Sequence, residues 1–309
     1  MKISYAKSRG MAAIMLLALT LLALSSPAKA DLKIFACEPE WGALATELGG
    51  TKVSVFVATQ ALQDPHHIEA RPSLIARARA ADMVVCTGAE LEIGWLPAIQ
   101  HQSANIKIQP GSPGAFEAAS FVRMLEVPSR LDRADGDVHA QGNPHIQTDP
   151  RNIAKVADGL ASRFVLLDQA NAAFYEARHR AFSEKWQAAL ARWQAQAAPL
   201  RGMPIAVQHP NWAYLNDWLG LKQVVSLEPK PGVPPSAGYL SEVVTRVRAT
   251  PVAMVIRAPH ESARPSEFLT AQANVPAVLL PFTIGGTPGA TDLVSLFDDT
   301  LARLLAAKK

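Results

Sequence analysis

Short apolar runs alternate with stretches of helical spacing along most of the chain. "LKIFAC", "TKVSVFVA" and "DMVVCTG" are brief and rich in β-branched or aromatic residues, so they read as strands. "EWGALATELGG" and "PSLIARARAA" between them read as helices, the first closed by Gly49–Gly50 as a left-handed cap requires. Strands separated by short helices predict βαβ units and a parallel sheet. The stretch from about 110 to 143 is rich in Gly, Pro and Asp and is expected to be loop with short elements. Asp149–Pro150 is an N-cap followed by a first-turn proline, starting a helix that runs to about Leu167. A new start at Asp168 opens a longer helix to about Ala198. Its Phe174, Phe182, Trp186, Leu190, Trp193 and Ala197 make one apolar stripe. About 30 helical residues span roughly 45 Å, enough to bridge two lobes. After Pro199 the alternation restarts, with strands at "MPIAVQ", "KQVVSL", "VAMVIRA" and "PAVLLPF" and helices near 212–219, 237–249, 264–273 and 291–306. The expected fold is α/β. An amino-terminal lobe (31–167) and a carboxyl-terminal lobe (199–309), each a mainly parallel sheet flanked by helices, are joined by one long rigid helix (168–198).

The first thirty residues stand apart. Lys2, Lys7 and Arg9 precede an apolar run from Met11 to Leu24, and "SSPAKA" then offers small residues at Ala28 and Ala30. This is the pattern of a cleaved secretory signal, with cleavage expected after Ala30. The run of about 14 residues is shorter than the roughly 20 that span a bilayer. Cys37 comes too late to serve as a lipid-attachment site, so a soluble periplasmic protein is expected. Composition then changes meaning. The 309 residues carry 30 basic and 27 acidic side chains, but residues 1–30 hold four of the basic ones and no acid. The remainder has 26 basic against 27 acidic residues, which gives no case for binding nucleic acid. Hydrophobic residues at 49% and charged residues at 18% suit a packed core. Cys37 and Cys86 each end an apolar strand. An exported chain allows them to pair, and two buried thiols are the alternative.

Eight histidines carry the candidate chemistry. His66 follows the second strand in "QDPHHIEARPS", His209 ends the first strand of the second lobe in "IAVQHPNW", and His145 precedes the Asp149 helix in "NPHIQTDP". Ligands of open parallel sheets bind beyond the carboxyl ends of the strands. His66 and His209 are there, one per lobe, and His145 is on a loop that reaches the same rim. Three imidazoles from separate segments make a tetrahedral metal shell lacking one ligand. His67, His101 and His179 fit surface or capping roles.

Five segments in order resemble the metal-binding solute receptors of ABC importers, the ZnuA-like and AztC-like group of zinc receptors. They are "DPHHIEARPS", "ADMVVCTGAELEIGWLP", "GNPHIQTDPRN", "DQANAAFYEAR" and "AVQHPNWAYL", and the likeness covers nearly all of residues 31–309. The resemblance implies that His66, His145 and His209 are nitrogen ligands of a metal held between the lobes. It also implies a fourth, carboxylate ligand near the start of the last helix, where Asp292 stands, with Glu261, His260 or a water as substitutes. The second segment departs from the family in having Ile146 and Gln147 where a tryptophan is usual. Manganese receptors of the family carry a carboxylate in the third segment. Here that position is His209, and an imidazole-rich shell favours Zn2+ over manganese or iron.

The resemblance further implies delivery of the ion to an ABC permease in the inner membrane by a monomeric receptor. A zinc chaperone upstream is a second candidate partner. "RLDRADGDVHAQGNPH" looks like a shortened form of the family's metal-gathering loop, with His139 and Asp137 as accessory capture residues beside Asp132 and Asp135. A periplasmic zinc hydrolase is the rival class. The chain has no H-E-x-x-H, no G-x-S-x-G, no P-loop and no dinucleotide glycine fingerprint, so no enzyme is expected.

Overall fold

A computed structural model describes residues 31–132 and 136–308. The expected export signal and its cleavage site lie outside the described residues, as does Asp135 of the acidic loop. Leu32–Lys309 form one compact unit.

The first sheet holds β1 (Leu32–Ala36), β2 (Val53–Val57), β3 (Met83–Cys86) and β4 (Ala115–Glu117) in the order β2-β1-β3-β4, all parallel. The second holds β5 (Pro204–Val207), β6 (Lys222–Ser226), β7 (Val255–Arg257) and β8 (Ala277–Leu279) in the order β6-β5-β7-β8, again all parallel. The two sheets thus share one topology. Parallel strands covered on both faces need near-continuous apolar sequence, and β3 is buried at every position.

Helices α1 (Pro39–Gly49), α2 (Pro72–Ala80) and α3 (Leu96–Ser103) flank the first sheet, and α4 (Pro150–Leu167) follows the loop region. Asp149 caps α4 as the sequence implies, its carboxylate accepting from the Arg151 amide at 2.8 Å. The long helix α5 covers Ala172–Gln196, 25 residues, because a 3-10 turn over Gln169–Asn171 takes up the expected first turn. Helices α6 (Ala213–Leu219), α7 (Ala237–Ala249), α8 (Arg264–Ala273) and α9 (Leu293–Ala307) serve the second sheet.

One apolar core runs beneath both sheets. It joins Ile34 and Val85 of the first sheet to Ile205 and Ile256 of the second through Phe182, Trp186 and Trp193 of α5. Trp186 donates to the Pro150 carbonyl at 2.9 Å, and Trp193 donates to Asp298 of α9 at 2.6 Å. The Trp193 ring lies 5.2 Å from Phe297. A wide hinge motion would tear this shared packing, whereas sub-ångström to ångström shifts of loops would not. His179, expected on a solvated face, is partly exposed and bonds the exposed Asp158 across α4 and α5 at 2.8 Å. Cys37 and Cys86, left open by the sequence, are joined by a disulfide that links the ends of β1 and β3.

Candidate metal centre

Both sheets point their carboxyl ends at the same place. His66 lies in the loop after β2, and His209 directly follows β5 with Gln208 between them. His145 stands just before the 3-10 turn that leads into α4, and His139 comes from the loop ahead of it. Asn143 ties two of these segments together. Its side-chain oxygen accepts from the His145 amide at 3.1 Å, and its amide nitrogen donates to the Pro210 carbonyl at 3.0 Å.

The Nε2 atoms of His66 and His139 are 3.2 Å apart. The His66 ring centroid lies 5.2 Å from His139, 5.2 Å from His145 and 6.3 Å from His209, and His145 lies 6.1 Å from His209. A tetrahedral zinc ion with Zn–N near 2.05 Å holds imidazole nitrogens about 3.3 Å apart and ring centroids about 5.2 Å apart. His66 therefore stands at a ligating separation from His139 and from His145, while among the described residues no three of the imidazoles yet bring their ligating nitrogens within 4.8 Å of one another. His209, the contribution of the second sheet, is wide by about 1 Å measured against that tetrahedron.

Two carboxylates orient the rings. Asp64 Oδ1 lies 2.8 Å from His66 Nδ1, and Glu228 Oε2 lies 2.7 Å from His209 Nδ1. A carboxylate accepting from Nδ1–H leaves the Nε2 lone pair free for a metal and makes it more basic. Burial opposes the Asp64 charge, but the hydrogen bond and charge of His66 outweigh it and hold its pKa well below the usual range. Burial likewise opposes a charged His209, yet the bond and charge of Glu228 leave its pKa raised. Glu228 is itself fixed, because the Gly232 amide donates to the same oxygen at 2.9 Å. Gly232 has φ +74°, and an added Cβ would strike the Asp137 carboxylate. The loops at 136–139 and 228–232 therefore lie directly against each other, with the Asp137 amide donating to the Pro231 carbonyl at 3.0 Å.

His145 is buried, and its Nδ1 has no hydrogen-bond partner. Burial and the neighbouring imidazoles push its pKa well below the ordinary histidine value, and His139 falls to about 4 mainly through burial. Both rings are thus neutral at physiological pH, the form that ligates metal. A cavity of about 640 Å3 opens beside the cluster and is lined by Asp64, Asp137, Glu228 and Glu261. Asp64, Asp137 and Glu228 against the single Arg264 leave this cavity acidic, which favours the approach of a cation.

The family profile described as "Zinc-uptake complex component A periplasmic" matches residues 34–307. The chain belongs to this ZnuA family, which by its description is periplasmic. A curated relative, the "High-affinity zinc uptake system protein ZnuA" of Brucella abortus (strain 2308), is 25% identical over 115 residues, 37% of this chain and 34% of that protein. The protein of the same name from Brucella suis biovar 1 (strain 1330) gives the same figures. The match thus spans about a third of the length of these relatives. Among solved structures, a zinc-bound deletion variant of ZnuA is 25% identical, with 90% of this chain and 98% of that chain covered and a TM-score of 0.74. A manganese-bound periplasmic metal-binding protein from Candidatus Liberibacter asiaticus is 15% identical, with 89% and 99% covered and a TM-score of 0.72, a likeness of fold alone.

Within this ZnuA-family chain the structure brings His66, His145 and His209 together, but not Asp292. Asp292 is exposed and caps α9. Its Oδ1 accepts from the Ser295 amide at 2.7 Å and the Ser295 hydroxyl at 2.9 Å, and it does not line the cavities around the histidines. The expectation of Asp292 as fourth ligand is corrected on that ground: its carboxylate satisfies orphan helix donors. His139, expected only as an accessory residue, stands inside the cluster, while Asp137 stays at its rim. Of the named substitutes, Glu261 spends both oxygens on Ala258 and Asn211, and burial raises its pKa to about 7. His260 lines the cavity with Nδ1 unpartnered and packs on Phe282, as does His145. The orienting carboxylates were missed by the sequence reading. Asp64 had a signal, since it stands two residues before His66, whereas Glu228 had none.

Proposed function

We propose that this protein captures Zn2+ in the periplasm on His66, His139, His145 and His209 and delivers it to an ABC permease of the inner membrane. The observation that carries the ligand set is the 3.2 Å approach of the His66 and His139 Nε2 atoms, with His145 and His209 completing the ring of imidazoles. Two nitrogens at that separation match one edge of a zinc tetrahedron. An all-nitrogen shell favours zinc over manganese, which prefers carboxylate oxygen.

Capture follows from the geometry. The acidic mouth concentrates cations, Asp64 and Glu228 keep Nε2 of His66 and His209 available, and neutral His139 and His145 supply the remaining lone pairs. Closing the shell needs the four rings to draw together, His209 by about 1 Å, shifts that the shared core permits and that would bind the two sheets' edges through the ion. Release then requires only the reverse shift, driven by docking to the permease. The lobes at 31–167 and 199–309 would move little about α5. Removal of a signal after Ala30, a monomeric state and loading by a zinc chaperone belong to the same reading, and the Cys37–Cys86 disulfide suits an oxidising compartment.

Zinc titration of the mature, metal-stripped protein tests the function. One Zn2+ per chain is expected, and zinc at a thousand times its Kd should stabilise the fold by roughly 4 kcal/mol. Manganese at the same concentration should give a much smaller gain. Equal stabilisation by both ions would refute the zinc assignment.

A further inference from the structure

Three successive residues after β3 adopt a left-handed backbone: Gly88, Ala89 and Glu90 have φ of +76°, +50° and +69°. Residues other than glycine enter this region rarely, and then singly. Such a run persists only where its surroundings hold it, and it concentrates at functional sites. Ala89 is 1% exposed and belongs to the shared core. The Glu92 carboxyl accepts from the Thr87 amide at 2.7 Å and from the Gly88 amide at 3.1 Å. The Thr87 carbonyl accepts from the Ala119 amide at 2.8 Å.

This turn and the residues just after it brace two histidine loops. The Trp95 indole donates to the carbonyl of Pro65, the residue before His66, at 2.9 Å. The Glu90 carboxylate accepts from the amide of Ala140, the residue after His139, at 2.6 Å. One short segment therefore supports both loops whose rings bring their Nε2 atoms to 3.2 Å. The Asp137 amide ties the same loop to the Pro231 carbonyl at 3.0 Å, beyond β6 of the second sheet. The loop is thus fastened to both halves of the molecule, and Glu90 is its fastening on the His66 side.

We propose that Glu90 is a positioning residue for zinc capture, clamping the Ala140 amide so that His139 stays at ligating distance from His66. This role presupposes His139 as a zinc ligand. A carboxylate is the strongest acceptor a side chain can offer a backbone amide. A loop held in advance need not be ordered by the incoming ion, so the ion binds more tightly. The left-handed turn fixes the backbone from which the carboxylate reaches, and the core contact of Ala89 keeps that backbone from relaxing.

Competitive zinc titration of variants of the mature protein separates reach from charge. Glu90→Asp keeps the charge and tolerates the left-handed backbone, but its shorter side chain cannot reach Ala140. It should weaken zinc binding roughly tenfold, the loss usual for a group that supports a metal ligand. Glu90→Gln keeps the reach and an acceptor oxygen, and should hold affinity within about threefold of the unaltered protein. Added to His139→Ala, Glu90→Asp should bring no further loss, because no ring is left to position. A weakened Glu90→Gln beside an intact Glu90→Asp would overturn the proposal and make Glu90 a charge at the mouth. Full affinity in both variants would overturn it as well. So would an equal loss from Glu90→Asp with and without His139, which would assign Glu90 to the fold alone. If His139→Ala itself left affinity unchanged, the four-imidazole shell would fail first, and the positioning role with it.

Discussion

Glu228 reaches no ion in the proposed shell, yet its loss should weaken zinc binding measurably. Its Oε2 holds His209 Nδ1 at 2.7 Å and is itself held by the Gly232 amide at 2.9 Å, and both side chains are mostly buried. Glu228→Gln keeps the shape and one acceptor but removes the charge that makes His209 a better donor to zinc. Removing such a partner costs about 10- to 100-fold in metal affinity, or roughly 1.4–2.7 kcal/mol. A second effect has the opposite sign. Glu228 raises the His209 pKa against the effect of burial, so a proton competes with zinc for His209 up to a higher pH. Without the carboxylate that competition ends at lower pH. Competitive titration against a chromophoric chelator across pH 5.5–8.5 (a window bracketing the ordinary histidine value of about 6.5) should therefore show a lower plateau affinity and an acid-shifted midpoint. A lower plateau with no shift in the midpoint would mean that Glu228 merely supports the loop. Unchanged affinity would refute the orienting role altogether.

Asp292→Ala should leave zinc affinity within about threefold while lowering stability by about 1 kcal/mol through loss of the α9 cap, as read by urea unfolding with and without zinc. Loss of zinc binding in that variant would restore Asp292 as a ligand. The buried imidazoles of the metal-free protein should cost stability in acid, against the opposite contribution of Glu38, Glu40, Glu92 and Glu261, whose raised pKa values favour the folded state there. His139, His145 and His260 have folded pKa values below the unfolded value of about 6.5, so the unfolded chain takes up protons that the folded one refuses as pH falls from about 6.5 toward 4. The gain in melting temperature from zinc should vanish down that range as protons compete for the imidazoles; a gain that persists unchanged at about pH 4 would contradict histidine ligation.

Local rules made most of the architecture legible. The Asp149–Pro150 start, the β-branched runs of both sheets and the Trp186–Trp193 stripe each combine a short-range preference with its tertiary use, so they appear in the structure where the sequence places them. Elements with little local signal were not legible in the sequence. Helix α3 has eight residues and β4 only three, and both take their shape from packing on the first sheet. The first turn of α5 was overextended because Asp168 looks like a cap, whereas its backbone instead opens a 3-10 turn. At the site, His66, His145 and His209 were legible as residues beyond strand ends or ahead of a capped helix. His139 was legible only as an accessory capture residue, because the loop that carries it has no periodicity and its inward path is set by contacts far away in sequence. The Asp137 amide bonds Pro231, and the Ala140 amide bonds Glu90 at 2.6 Å. Asp292 misled for a simple reason: a helix-start carboxylate serves the backbone whether or not a metal is near.

The number and kind of atoms around the captured ion test the central claim most directly. X-ray absorption at the zinc edge of the mature protein loaded with one equivalent should give four nitrogen scatterers near 2.0–2.1 Å with the multiple-scattering pattern of imidazole. In His139→Ala that count should drop to three histidines, with a water or other oxygen in the vacated place. A wild-type spectrum already showing three histidines and one oxygen, unchanged by His139→Ala, would contradict the four-imidazole shell.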